Sequence, residues 1–169
     1  MSRGAFSLIE LVVVVVILGV IGAIAVPRMS GMASRAKVQG AAGAVQAAQS
    51  VIEEYRAIHG SPPASLGVSN FYGKSRPRNP YAPAGPTDIE VVAAGADVTE
   101  PAVKTTTVSR AFWYNSDNGE IRARVSDQGA TAATIDLYNA VNGTSITGMA
   151  DTKDLNIVGE GSGSFDLGG

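Results

Sequence analysis

The chain contains no cysteine and a single histidine, His59. The first absence excludes disulfide staples and thiolate metal sites. The second leaves His59 without partners for a zinc site or a catalytic triad, so it reads as a solvated residue at a helix end. An excess of charge of either sign is also lacking: 13 Lys and Arg face 15 Asp and Glu, for a formal charge of −2. So mild a balance argues against nucleic acid or an acidic lipid surface as partner. Arg76 and Arg78 stand near aromatic residues, but two arginines make no basic stripe. There is no nucleophile motif, phosphate loop, metal cluster or paired-carboxylate arrangement. No catalytic residue, no cofactor and no enzymatic activity are therefore expected.

What the chain does have is a long apolar run. Residues Phe6 to Val26 read FSLIELVVVVVILGVIGAIAV, with Glu10 as the sole charge. A helix of about 20 apolar residues spans ~30 Å of hydrocarbon. The five valines Val12 to Val16 would suit a buried strand, but buried strands rarely exceed about 8 residues, so length favours a membrane helix. An ionisable group at the bilayer centre costs at least ~2.5–3.5 kcal/mol, so Glu10 calls for a partner even near the end of the span. Arg3 precedes the run and Arg28, Arg35 and Lys37 follow it, which leaves the positive-inside bias ambiguous. A cleaved secretory signal is the plainer alternative, and Ala23-Ile24-Ala25 offers a small-x-small cleavage site. Glu10 inside the apolar run, the length of the run and Pro27 stand against it.

Ala5-Phe6-Ser7-Leu8-Ile9-Glu10 followed by an apolar run resembles the class III signal of type IV pilins and type II secretion pseudopilins. The resemblance implies a prepilin peptidase that cuts before Phe6 and N-methylates it, so that Glu10 becomes the fifth residue of the mature chain. Gly19 and Pro27 also fall where that family carries a helix-loosening Gly and Pro. Ala5 replaces the usual Gly before the cut, and Gly4 lies one step earlier; a cut there would make Glu10 the sixth residue. The resemblance further implies that Glu10 pairs with the N-terminal amine of a neighbouring subunit. Two buried ions repay their lost hydration only by pairing in good geometry.

Beyond Pro27 the helix is expected to reach about His59. Val38, Ala41, Ala44, Val45, Ala48, Val51, Ile52, Tyr55 and Ile58 recur at three- and four-residue steps and mark one buried face. Gln39, Gln46, Gln49, Glu53 and Arg56 lie opposite. The small residues Gly40 to Ala44 suit close approach of another backbone, either a neighbouring helix or the sheet above. Pro27 is expected to kink or open the helix. Gly60 with Pro62 and Pro63 should end it; this end resembles that of the G-type, or major, pseudopilins.

From 61 to 87 prolines exclude helix and central strand. Arg76-Pro77-Arg78-Asn79-Pro80-Tyr81 resembles a family loop that lies over the sheet, with Phe71, Tyr72 and Tyr81 as expected anchors. Strands are expected at Ile89–Ala93, more weakly at Val103–Val108, and in a hairpin of Arg110–Asn115 and Glu120–Val125 around Ser116-Asp117-Asn118-Gly119. Asn-Gly supplies the positive φ of such a turn. Ile121, Ala123 and Val125 should share the face over the helix, leaving Glu120, Arg122 and Arg124 on the other. Thr134–Tyr138 reads as a further strand. Gly159 to Ser164 reads as flexible. Asp151, Asp154, Asn156 and Glu160 are oxygen ligands in the region where G-type pseudopilins often hold calcium, although their spacing matches no defined calcium motif.

The expectation is thus an α+β chain of type IV pilin-like fold: a long N-terminal helix, half membrane and half amphipathic, packed on a small antiparallel sheet. Its parts are a leader (1–5), an assembly helix (6–26), an amphipathic continuation (27–59), a globular region (60–158) and a tail (159–169). The resemblance implies a single-pass subunit of the bacterial inner membrane, its C-terminal domain outside the cytoplasm. Such a subunit polymerises with itself into a pseudopilus for protein secretion. Its partners would be the prepilin peptidase, the inner-membrane assembly platform, other pseudopilins and lipid. A type IV pilus subunit for adhesion, motility or DNA uptake, and a non-polymerising membrane-anchored binding domain, stay open.

Overall fold

The structure is a computed structural model that describes residues 7–71, 73, 75–82, 88–106 and 110–154, with residues 25–30 described in their backbone only. It is α+β. Helix α1 spans Leu8–His59, a 3-10 turn spans Val68–Asn70, and helix α2 spans Thr131–Asn142. Strands β1 (Ile89–Val92), β2 (Phe112–Asn115) and β3 (Ile121–Ala123) form one sheet in that order. The chain divides into two compact units, residues 1–36 and 37–169, and α1 contributes to both.

In the first unit no described side chain of α1 is buried. Leu8 is 82% exposed, and the large apolar side chains from Ile9 to Ile24 are exposed with it. The backbone stays helical through position 27, so the opening expected at Pro27 does not interrupt the helix.

In the second unit α1 turns amphipathic. Ala41, Val45, Ala48 and Ile52 are buried, at steps of four, three and four residues. They form one core with Phe112, Tyr114, Ile121, Ala123 and Val125 of the hairpin and with Ile135, Tyr138 and Val141 of α2. Gly40 lets the Pro80 loop come down on the helix: a Cβ there would stand 3.3 Å from Pro80 Cγ. The close approach expected of the small residues is thus made by a loop of the same unit. Gly60 ends α1 with φ +78° and donates its N–H to Arg56 O at 2.7 Å, after which Pro62 and Pro63 prevent resumption.

The sheet is mixed, which corrects the expected antiparallel one. β2 and β3 are antiparallel, with Phe112 opposite Ala123 and Tyr114 opposite Ile121. β1 runs parallel to β2, Ile89 opposite Phe112 and Val92 opposite Asn115. A parallel pair needs a long crossover, and the segment between Val92 and Phe112 supplies it. The described residues of the strand expected at Val103–Val108, 103–106, form no strand; Thr105 makes an isolated bridge to Val125. Their alternation is inverted by burial, since Val103 is exposed and Lys104 buried.

Thr134–Tyr138 is helix, not strand. Over five residues the pattern alternates, but the buried set is Thr134, Ile135, Tyr138 and Val141, which is the period of a helix. α2 also closes the sheet. Asn142 Oδ1 accepts from the Ala123 N–H at 2.7 Å, and Asn142 Nδ2 donates to Ala123 O at 2.9 Å. One side-chain amide thus occupies backbone groups of β3 that an open edge would present to another chain.

Candidate functional site: the exposed apolar helix

Every direction around α1 between Leu8 and Ile24 is apolar and exposed, because consecutive residues step by about 100° and nearly all are Val, Ile or Leu. Burying each such side chain is worth about 1.5–3 kcal/mol. Together they outweigh the ~5–15 kcal/mol that stabilises a whole domain. Among the described residues of this unit nothing covers that surface.

Glu10 is the acid of the first turn of α1, and its side chain is exposed. Its backbone N–H reaches Ser7 O at 3.1 Å. The helix N-terminus carries a partial positive charge, which favours a carboxylate at this place. A Cβ added at Gly19 would meet nothing within 4 Å, so no packing among the described residues requires glycine there. Pro27 is described in its backbone alone. Ala5 and Phe6, the residues of the expected cleavage, lie outside the described residues, as do Tyr72, Asn156, Glu160 and the tail. Among the described residues no helix is long and apolar enough to cross a membrane. The described side chains of the apolar run begin after Phe6 and stop at Ile24, short of both of its ends.

The two weak calcium candidates turn to backbone amides. Asp151 Oδ2 accepts from Gly148 N at 2.7 Å and Thr147 N at 3.0 Å, and these bonds hold its carboxyl below the usual range. Asp154 Oδ1 accepts from Ser145 N at 3.2 Å. Among the described residues no group of three or more His, Asp or Glu is placed to hold a metal ion. The carbonyls nearby are taken by a lysine. Lys104 Nζ donates to Asp151 O at 2.6 Å, Pro101 O at 2.9 Å and Met149 O at 3.1 Å. Its three N–H groups match three acceptors, while burial pushes its pKa down.

Beside it lies a buried acid. Glu100 is fully buried, with Arg122 Nε at 2.8 Å and the Tyr138 hydroxyl donating at 2.6 Å. Burial pushes its carboxyl up, against the pull of Arg122. Arg122 also reaches Glu120 at 2.6 Å. Arg122 and Arg124, expected on the sheet face away from the helix, are covered there by the crossover, Arg122 by Glu100 and Arg124 by Val103 O. Glu100 and Lys104 were not legible as core residues, because in sequence nothing separates them from surface charges.

Asn79 was also missed as an anchor. Its Nδ2 donates to Ala111 O at 2.8 Å and Arg124 O at 2.7 Å, so it ties the proline loop to both arms of the hairpin. Of the expected anchors, Phe71 is buried and Tyr81 partly so.

Comparison with protein-family models, with curated proteins and with solved structures finds no match to this chain.

Proposed function

We propose that this chain is a filament-forming subunit of the type II secretion pseudopilus kind, with a type IV pilin-like fold. It is stored in the bacterial inner membrane and polymerises through the first part of α1 to support protein secretion. The observation that carries this reading is the helix from Leu8 to Ile24, apolar on every side and exposed, with Glu10 in its first turn. Lipid satisfies such a surface before assembly, and other copies of the same helix satisfy it afterwards.

The sequence supplies the second support. Phe6 and Glu10 stand at the spacing of a prepilin signal, and Gly19 and Pro27 at the expected helix positions. In this reading the peptidase frees an amine at Phe6. The Glu10 carboxylate of an incoming subunit then finds the amine of one already in place, and the pair sets the axial register. A desolvated charge left unpaired is strongly destabilising, so a misregistered subunit is rejected. The network around Glu100 and Lys104 has a different role: it holds together the crossover, the hairpin and the 149–151 segment of the globular unit.

Mass spectrometry of the mature chain from membranes is the direct test. A terminus at N-methylated Phe6 is expected; a terminus at Val26 would make this an ordinary secreted domain. Glu10→Ala is expected to reduce filament incorporation at least tenfold, read by shearing and immunoblotting. The unfolding midpoint of the globular unit should stay unchanged. Normal incorporation of that variant would remove the pairing role.

A further inference from the structure

A cleft of about 360 Å³ opens on the side of the sheet away from α1. Its walls are Val92 of β1, Ala102 and Val103 of the crossover, and Trp113 of β2. Its polar groups are Glu90, Arg110 and Arg124. The two guanidinium groups share one carboxylate, since Arg110 and Arg124 both pair with Glu90. The trio therefore carries one net positive charge.

Arg124 is almost wholly buried, and its nitrogens are unequally served. Nε donates to Val103 O at 2.8 Å and Nη2 pairs with Glu90, but among the described residues Nη1 finds no acceptor, and it has no solvent contact. A buried charged donor without a partner is costly and uncommon. Arg110 stands half exposed at the mouth, with Glu90 as its ion-pair partner. Uncompensated positive charge and an orphan donor meet here beside an apolar wall. The volume lies at the lower end of the range of small-ligand sites.

We infer that this cleft binds a monoanionic carboxylate carried on an apolar or aromatic group. The carboxylate meets Arg110, the guanidinium of the trio that reaches solvent, and balances the trio's positive charge, while the apolar group lies against Trp113, Val92 and Val103. This site is independent of the filament reading, since it uses no residue of the assembly helix. Two sources share the chemistry: a free organic acid, and the terminal carboxylate of a polypeptide ending in an apolar residue.

Trp113 is the only tryptophan of the chain, so its emission reports on the cleft. The full chain in detergent micelles is titrated with phenylacetate, with phenylacetamide, with inorganic phosphate, and with an acetylated Ala-Ala-Phe peptide as free acid or amide. A saturable change with the free acids is expected, at least about tenfold tighter than with the matching amides, as one charge-assisted contact implies. Saturation by phenylacetate alone assigns the free-acid source; saturation by the peptide acid assigns a chain terminus. Arg110→Gln should weaken binding about tenfold, and Val103→Phe, which fills the cleft, should abolish it. Both should keep the circular dichroism of the parent chain. Equal affinity for acid and amide, equal binding of phosphate, or no saturable change would overturn the proposal.

Discussion

The two halves of α1 carry opposite problems. Up to residue 36 the helix exposes apolar side chains and buries none of those described; from 37 on it buries Ala41, Val45, Ala48 and Ile52 beneath a sheet. The globular unit inverts the usual rule as well, because Glu100, Lys104, Arg122 and Arg124 are buried in it. Each of these charges lies within hydrogen-bond reach of a partner, whereas the apolar side chains of the first half have none among the described residues. The contrast teaches where each part finds its stability. Glu100, Lys104 and Arg122 are satisfied inside their own unit, because leaving a buried charge unpaired is too costly. An apolar surface can be satisfied by any apolar neighbour, including lipid or another copy.

The sharpest way to break this contrast is Glu100→Ala. It leaves Arg122 buried without its acid and removes the acceptor of the Tyr138 hydroxyl. A loss of about 3–5 kcal/mol in the unfolding free energy of the globular unit is expected by denaturant titration. A loss below ~1 kcal/mol would mean that the network is not needed for stability.

Tyr114 offers a smaller, pH-dependent effect. Its hydroxyl donates to Pro63 O at 2.7 Å, and burial pushes its pKa from 10.0 to about 12. The folded state therefore holds this proton more tightly than the unfolded chain. The associated stability is fully present below pH 10.0 and is lost as the pH rises toward about 12. The loss amounts to about 2–3 kcal/mol. Tyr114→Phe should be less stable by about 1 kcal/mol at neutral pH. Its alkaline limb, measured against the parent chain, should be shallower by the Tyr114 share. Superimposable limbs would contradict the shift.

The least effect on the globular unit is expected from Gly19→Leu. Nothing among the described residues meets a side chain there. The unfolding midpoint of the globular unit should move by less than ~0.5 kcal/mol, while helix association in micelles changes, read by cross-linking. A shift in folding stability instead would show that the first half of α1 packs within its own chain.

Several elements were legible because a local pattern dictated them. α1 follows from its apolar period and stops where Gly60 and two prolines allow nothing else. The hairpin follows from alternating Ile121, Ala123 and Val125 beside an Asn-Gly turn, and its Gly119 has φ +82°. The misreadings share a cause: a short window admits two periods, or a partner lies far away in sequence. Thr134–Tyr138 alternates over five residues but pairs with nothing as a strand; its helix appears only when Val141 is counted. The direction of β1 depended on how the crossover was laid. Gln49 and Arg56, expected on the helix face opposite the apolar one, donate to Gly119 O and Asn118 O of the hairpin turn.

By itself, the sequence determined the long helix, its two characters, its stop signal and the hairpin, since each rests on neighbours within a turn or a pleat. It also carries the Phe6–Glu10 spacing on which the functional reading stands. The tertiary structure alone decided which charges are buried, which face of the hairpin is covered, and where a cleft opens beside Trp113. Those outcomes depend on pairs separated by tens of residues, such as Glu100 with Tyr138 and Lys104 with Asp151. No local pattern in the chain encodes who meets whom across that distance.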